Sequence, residues 1–177
     1  MKIDISDMYS LTDKETTREV HIDMVEMKSK AGCFPIQAGE PFVLTIANEK
    51  GKRLRLTGEA RLSARIPCDR CLEDVPYPFH LVIDKTVMLT QADDGQEDED
   101  DEAASYIDEE RVLDVDRLIF GELLVNWPAK VLCRDDCKGI CPKCGTNLNR
   151  TACGCEQGVP DPRMAQFLDV FQKFKEV

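Results

Sequence analysis

Aromatic side chains, histidine and long apolar runs are all scarce in this sequence of 177 residues. Aromatic residues make up 6% of the chain and there are only two histidines, which leaves little material for stacking surfaces or imidazole chemistry. No run of about 18 apolar residues occurs, so we expect neither a transmembrane helix nor a membrane partner. The polar and acidic start is unlike a signal peptide, and we therefore expect a protein of the reducing cytoplasm.

An excess of basic residues is also lacking. The formal net charge is −11, and residues 91–110 contain eleven acidic residues and no lysine or arginine, so the rest of the chain is neutral in sum. Self-repulsion and few apolar side chains predict a disordered acidic loop over 91–110, which serves either as a solvated spacer or as a contact for a basic partner. Nothing resembles a strongly basic DNA-binding domain, so we expect no DNA partner.

Cysteine, by contrast, is abundant, and six of the nine cysteines fall within residues 133–155. The run Cys141-Pro-Lys-Cys144-Gly is typical of a metal-binding knuckle, in which two thiolates converge and the glycine permits the positive φ of the turn. Cys153-Gly-Cys155 supplies a second pair of sulfurs. Four sulfurs in a tetrahedral array suit Zn²⁺, and an iron–sulfur cluster, a redox dithiol or a disulfide framework are the alternatives.

Eight cysteines form four pairs, which is the number that two tetrahedral sites need. We predict a zinc site in the tail with the ligands Cys141, Cys144, Cys153 and Cys155. A second site would clip the C-terminal segment to a strand end across about 60 residues, with the ligands Cys68, Cys71, Cys133 and Cys137. The alternative is a single structural zinc in the tail with the first pair free. Cys33 has no cysteine neighbour in the sequence and is expected to be a buried or idle thiol.

Alternating hydrophobicity predicts strands in the first half of the chain. One strand begins at Phe42, a turn follows at 48–51, a long strand covers 54–66 and a third covers 77–89. Gly58 interrupts the long strand and is expected to mark a bulge. One or two edge strands are expected within residues 1–30. The inward-facing residues of the long strand are predicted to be Leu54, Leu56, Ala60, Leu62, Ala64 and Ile66.

Two helices are predicted in the second half. Asp114 caps a helix over Val115 to Asn126, and Asp161-Pro162 begins another whose apolar stripe packs on the sheet. The fold class is therefore α+β, an antiparallel β-meander packed by two helices, with a C-terminal zinc-knuckle segment. The divisions are a sheet region at 1–90, the acidic loop at 91–110, and a helical and cysteine-rich region at 111–177, all within one domain.

Catalytic chemistry has no support in the motifs. A catalytic zinc keeps one position open for water and usually has histidine or carboxylate ligands, whereas the pairs found here are all cysteine. No phosphate-binding loop, nucleophile elbow or zincin motif occurs. We expect no enzymatic activity and no catalytic residues.

The arrangement of these cysteine blocks resembles the YceD family, also called the large ribosomal RNA subunit accumulation protein family. The resemblance rests on the strand that leads into Cys68-Asp-Arg-Cys71-Leu, the acidic loop, the helix, and the run from Cys133 to Cys155 with its Lys-Gly-Ile-Cys-Pro-Lys-Cys-Gly centre. It covers about residues 20–175. It implies a non-enzymatic factor that is needed for normal levels of large-subunit ribosomal RNA.

From this resemblance, the leading hypothesis is a ribosome biogenesis factor that contacts large-subunit rRNA or a pre-ribosomal particle. The outer face of the long strand carries Arg53, Arg55, Arg61 and Arg65, and residues two apart on a strand lie about 7 Å apart, so these side chains could follow an RNA backbone. A solvated face paired with neighbouring acids is the other interpretation. The alternatives are an adaptor whose acidic loop holds a basic ribosomal protein, and a zinc- or redox-responsive thiol protein.

Overall fold

The computed structural model describes residues 1–10, 12–30, 32–89 and 106–155. Ten secondary-structure elements lie within these residues. Eight are strands and two are helices. In chain order they are β1 (Lys2–Asp4), α1 (Ser6–Ser10), β2 (Glu15–Val20), β3 (Glu26–Ser29), β4 (Gly32–Ala38), β5 (Phe42–Glu49), β6 (Arg53–Pro67), β7 (Asp74–Met88), β8 (Val112–Asp114) and α2 (Val115–Val125). The α+β class with an antiparallel sheet is as the sequence predicted.

Strand β6 is the centre of the main sheet. It pairs with β7 over its whole length, from Arg53 opposite Met88 to Pro67 opposite Asp74. Its other edge is shared, because β5 pairs with the first half of β6 and β4 pairs with the second half. Strand β2 continues the sheet beside β5, and β3 continues it beside β4.

The predicted meander is therefore correct for β5, β6 and β7 but incomplete. Three strands from the first 40 residues extend the sheet, β2 beside β5, β4 beside β6 and β3 beside β4, where the sequence predicted only one or two edge strands within residues 1–30. The predicted bulge at Gly58 was wrong: the register with β7 passes through Gly58 without a break. Gly58 is instead the last residue of β6 that pairs with β5.

Alternation along β6 decides which face of the sheet is buried. All six residues predicted to face inward lie in the core, and Leu54, Leu56 and Ala60 have no exposed surface. Helix α2 contacts β7 and contributes its apolar stripe to the same core. The stripe consists of Val115, Leu118, Ile119 and Leu123.

Helix α2 begins where the sequence predicted, at the cap Asp114. The Asp114 carboxylate accepts hydrogen bonds from the backbone N–H groups of Asp116 and Arg117, which would otherwise lack partners at the helix start. The helix ends one residue earlier than predicted, with Asn126 as its C-terminal cap.

The end of the acidic segment is folded, which corrects the predicted boundary. Tyr106 is buried in the core, and Ile107 forms a β-bridge with Leu113. Tyr106 and Ile107 both pack with the hydrophobic core, so residues 106–110 belong to the folded region. The rest of the predicted acidic loop and the predicted helix from Asp161 lie outside the described residues.

Among the described residues, no helix has the length and apolar character that crossing a membrane requires.

The burial of α2 gives a test of the core. Replacing Ile119, which has no exposed surface, by alanine leaves a cavity between α2 and the sheet. We expect the Ile119→Ala variant to lose about 2–5 kcal/mol of unfolding free energy, measured by urea denaturation. Val125→Ala on the same helix is the matched control, because Val125 is 77% exposed, and its unfolding free energy should stay within about 0.5 kcal/mol of the parent value. Equal losses in the two variants would contradict this packing.

Candidate metal centres

The turn between β6 and β7 brings the first cysteine pair together. Cys68 follows Pro67 directly, and its backbone N–H donates to Glu73 O at 2.8 Å. Leu72 N–H donates back to Cys68 O at 2.9 Å, and Leu72 adopts a φ of 61°. This tight loop turns the chain within a few residues and leaves the sulfurs of Cys68 and Cys71 at the same end of the sheet.

The segment after α2 docks onto this turn through hydrogen bonds of both backbone and side-chain groups. Asp69 N–H donates to Val131 O at 2.9 Å, and the Asp69 carboxylate accepts from Val131 N–H at 2.6 Å. The Arg70 guanidinium donates to Cys137 O at 2.9 Å. These contacts fix the second cysteine pair beside the first, although the two pairs are far apart in the sequence.

The four sulfurs of this sheet-end cluster (Cys68, Cys71, Cys133 and Cys137) lie within 4.8 Å of one another. The Sγ atoms of Cys68 and Cys137 are 3.8 Å apart, and those of Cys71 and Cys133 are 3.5 Å apart. Four sulfurs at 2.3 Å from one tetrahedral ion are about 3.8 Å from each other. A disulfide needs about 2.05 Å, and all nine cysteines are free thiols. The cluster therefore has the geometry of a metal site.

A second set, the tail cluster, has the same geometry. The sulfurs of Cys141, Cys144, Cys153 and Cys155 also lie within 4.8 Å of one another. Cys141 N–H donates to Thr146 O, and Gly145 N–H donates to Cys141 O, both at 2.8 Å. Gly145 has a φ of 72°, the left-handed conformation that the knuckle turn requires. The structure thus brings together the same two sets of four cysteines that counting pairs in the sequence suggested.

The two clusters differ in exposure. Three of the four cysteines in the sheet-end cluster are buried, and Cys133 is partly buried. In the tail cluster only Cys141 is buried, Cys144 is exposed, and the remaining two are partly exposed. Solvent therefore reaches the tail cluster more readily than the sheet-end cluster.

Backbone N–H groups favour a thiolate at one position of the sheet-end cluster. Burial alone would raise the pKa of Cys68, but N–H groups of Cys71, Arg70 and Cys133 donate to its sulfur and bring the pKa down to about 6. Burial and the contacts with neighbouring thiols raise the pKa of Cys133 to about 12.

In the tail cluster, too, one thiol has a lowered pKa and another has a raised pKa. Hydrogen bonds from the Thr146 hydroxyl and backbone N–H lower the pKa of Cys144 to about 6. The contact with Cys144, together with burial, raises the pKa of Cys155 to about 12. Four sulfurs this close cannot all carry negative charge unless a cation lies between them. Both clusters therefore have the residues and the geometry to hold a metal ion as thiolates.

Sequence reasoning missed the polar residues that hold these clusters in shape. The Asn149 side-chain amide donates to Cys137 Sγ at 3.2 Å. Asp69 and Arg70 join the β6–β7 turn to the segment before the tail. No hydrophobic periodicity marks such residues, and the only signal is their position within or beside a cysteine block.

Cys33 lies apart from both clusters. The structure places it on the exposed face of β4, where its Sγ is 3.1 Å from the Glu26 carboxylate, so it is not buried. This hydrogen bond with the Glu26 carboxylate raises the pKa of the Cys33 thiol.

The four arginines of β6 lie on the outer face of the sheet and fall into two groups. Arg53 contacts Glu49 at 2.7 Å, and Arg55 donates two hydrogen bonds of 2.9 Å to Asp84. Arg61 and Arg65 are exposed, and none of the ion pairs within the described residues involves either of them. The first two arginines are therefore paired with acids, which distinguishes them from the second two.

Comparison with known proteins relates residues 56–171 to a family described as large ribosomal RNA subunit accumulation protein YceD. The matched range contains both cysteine clusters and most of β6. No solved structure matches.

Individual relatives are bacterial and plastid proteins. The chain is 28% identical over 101 residues to the uncharacterized protein YlbN of Bacillus subtilis, which is 56% of each chain. It is 27% identical over 103 residues to an uncharacterized protein of Mycobacterium tuberculosis, with 58% of this chain and 48% of that protein covered. The chloroplastic large ribosomal RNA subunit accumulation protein YCED homolog 1 of Arabidopsis thaliana is 30% identical over 132 residues, 60% of this chain and 40% of the relative. The chain spans about half the length of the curated relatives it matches.

Single cysteine substitutions test the two clusters independently. Cys71→Ser removes a ligand from the sheet-end cluster and Cys144→Ser removes one from the tail cluster, so each variant should hold one metal ion fewer per chain than the parent. Cys33→Ser is the matched control and should hold as many ions as the parent, because Cys33 lies in neither cluster. Elemental analysis of the purified full chain at equal protein concentration measures the number of metal ions per chain. A loss of metal in the Cys33→Ser variant would contradict the assignment.

Proposed function

This chain belongs to the YceD family, and from that membership we propose that it is a non-enzymatic, zinc-binding factor for ribosome biogenesis. Its role is to support the accumulation or processing of large-subunit rRNA in the cytoplasm. The plant relatives of the family carry the name large ribosomal RNA subunit accumulation protein, which supports the proposal. Two exposed arginines on the outer sheet face, Arg61 and Arg65, which form no ion pair within the described residues, also support the proposal.

Zinc is the metal that fits both clusters best. Four cysteine sulfurs are a soft donor set, and structural zinc sites are commonly closed tetrahedral Cys₄ sites. Bound zinc would offset part of the thiolate charge, and in the sheet-end cluster it would also tie the segment after α2 to the β6–β7 turn. Four protein ligands leave no position for water or substrate, which supports a structural role without catalysis.

RNA recognition is assigned to the outer face of β6. Arg61 and Arg65 lie on this face four residues apart, a separation of roughly 13 Å along a strand. Their guanidinium groups have no acidic partner within the described residues, so phosphate binding does not require an existing ion pair to break. Phosphate contacts of this kind give affinity that falls as salt rises.

Metal content tests the zinc assignment. Protein purified without added metal should contain zinc at two ions per chain, measured by elemental analysis. Replacing zinc with Co²⁺ should give the intense visible absorption of tetrahedral thiolate sites. Iron in place of zinc, or sulfurs oxidised to disulfides under reducing conditions, would refute this part of the proposal.

Charge reversal on the sheet tests the RNA surface. We expect the double variant Arg61→Glu/Arg65→Glu to bind large-subunit rRNA fragments at least about tenfold more weakly than the parent. The slope of log affinity against log salt should also fall by about one to two, because two phosphate contacts are lost. Fluorescence anisotropy with labelled RNA at several salt concentrations measures both quantities.

The matched control is Arg53→Glu/Arg55→Glu, which changes the net charge by the same amount on the same strand. These two side chains are already paired with Glu49 and Asp84, so their loss should change affinity and salt slope much less. Equal effects from both double variants would show that only overall charge matters, and unchanged binding in the first would remove this face from the proposal.

A further inference from the structure

The two cysteine clusters are separated by only three residues, 138–140, between Cys137 and Cys141. Gly139 turns this connection with a φ of 76°, and Ile140 N–H donates to Arg70 O at 3.1 Å. Leu148 N–H then donates to Gly139 O at 2.9 Å. The loop that follows Cys144 therefore folds back over the connection and returns toward the sheet-end cluster.

Asn149 is the residue of this loop that reaches the other cluster. Its Nδ2 donates to Cys137 Sγ at 3.2 Å, and its Oδ1 accepts from Lys138 N–H at 2.8 Å. Its own backbone N–H donates to Asn147 Oδ1 at 2.9 Å, which fixes the backbone from which the side chain extends. Every polar group of Asn149 named here has a partner, so the amide has one preferred orientation.

The position of Asn149 in the chain gives this hydrogen bond a second meaning. Asn149 lies between Cys144 and Cys153, inside the loop that a metal ion in the tail cluster closes. Its amide nevertheless contacts a sulfur of the sheet-end cluster. Loss of the tail metal would release both ends of this loop. The conformational entropy cost of holding the Asn149 amide against Cys137 Sγ would then be larger.

A second contact also joins the tail loop to the sheet-end cluster, but it contributes less to the stability of their association. Arg150 forms an ion pair with Glu73, whose carboxylate lies 3.7 Å from Cys71 Sγ. The Arg150 side chain is 75% exposed, and exposed ion pairs contribute little. The partly buried amide of Asn149 is therefore the main connection between the two clusters.

We propose that Asn149 couples the two metal centres, so that zinc in the tail cluster slows the loss of zinc from the sheet-end cluster. This inference depends on the proposed function in one respect, that both clusters bind zinc. Hydrogen bonds to metal-bound sulfur stabilise the thiolate against dissociation, and their loss typically costs 10–100-fold in metal affinity. Coupling of this kind is reciprocal, so a filled sheet-end cluster also favours zinc in the tail.

Zinc release from the full chain tests the coupling. The zinc-loaded protein is mixed with an excess of a chromophoric chelator, and absorbance reports each ion as it leaves. Cys144→Ser/Cys155→Ser abolishes the tail site, and its remaining zinc should leave about 10–100-fold faster than the slow phase of the parent. Asn149→Ala should keep two zinc ions and lose the sheet-end ion at that same fast rate.

Non-additivity identifies Asn149 as the connection. In the triple variant, Asn149→Ala should add little to the effect of the two serines, because both changes remove the same interaction. Thr151→Ala, an exposed position of the same loop, is the matched control and should release zinc as the parent does.

Zinc content measured before the release experiment separates the two proposals. Fewer than two zinc ions in the parent overturns the metal centres and this coupling with them. Two zinc ions with an unchanged slow phase in Asn149→Ala, or fully additive effects in the triple variant, overturn the coupling alone. If Asn149→Ala does not fold, the comparison of the parent with Cys144→Ser/Cys155→Ser still tests the coupling. Equal rates of zinc release from the sheet-end cluster in these two proteins would overturn the coupling.

Discussion

The antiparallel pairing of β6 with β7 is the interaction on which the described structure depends. The two strands stay in one register for 15 residues, from Arg53 opposite Met88 to Pro67 opposite Asp74. Because side chains alternate along a strand, this register sends leucines to the core and arginines to solvent at the same time. The turn that joins the strands carries the first cysteine pair, so the core, the arginine face and the sheet-end cysteine cluster are all positioned by the same two strands.

Much of this frame was predictable from the sequence because its signals are periodic or numerical. Alternation predicted β6 and its buried residues, the Asp114 cap predicted the start of α2, and four cysteine pairs indicated two sets of ligands. The shared edge of β6 was not predictable, since β4 lacks the regular alternation of β5 and nothing local states which half of β6 each one meets.

Charge was harder to interpret than hydrophobicity. The sequence shows four arginines on one face of a strand, but not that Asp84 on the neighbouring strand pairs with Arg55 or that Arg61 forms no ion pair within the described residues. Such partners depend on register between strands that are far apart in the chain. The amide of Asn149 is a similar case, because its sulfur partner belongs to the other cysteine cluster.

The point where β6 changes its pairing partner from β5 to β4 limits which substitutions this surface can accept. Pairing with β5 ends at Gly58 and pairing with β4 begins at Leu62, and the chain at Gly39 fills the space between them. A Cβ atom at Gly39 would lie 2.0 Å from the carbonyl oxygen of Arg61. Position 39 therefore has almost no mutational tolerance, and drift there would displace the backbone that presents Arg61 even if every arginine were retained.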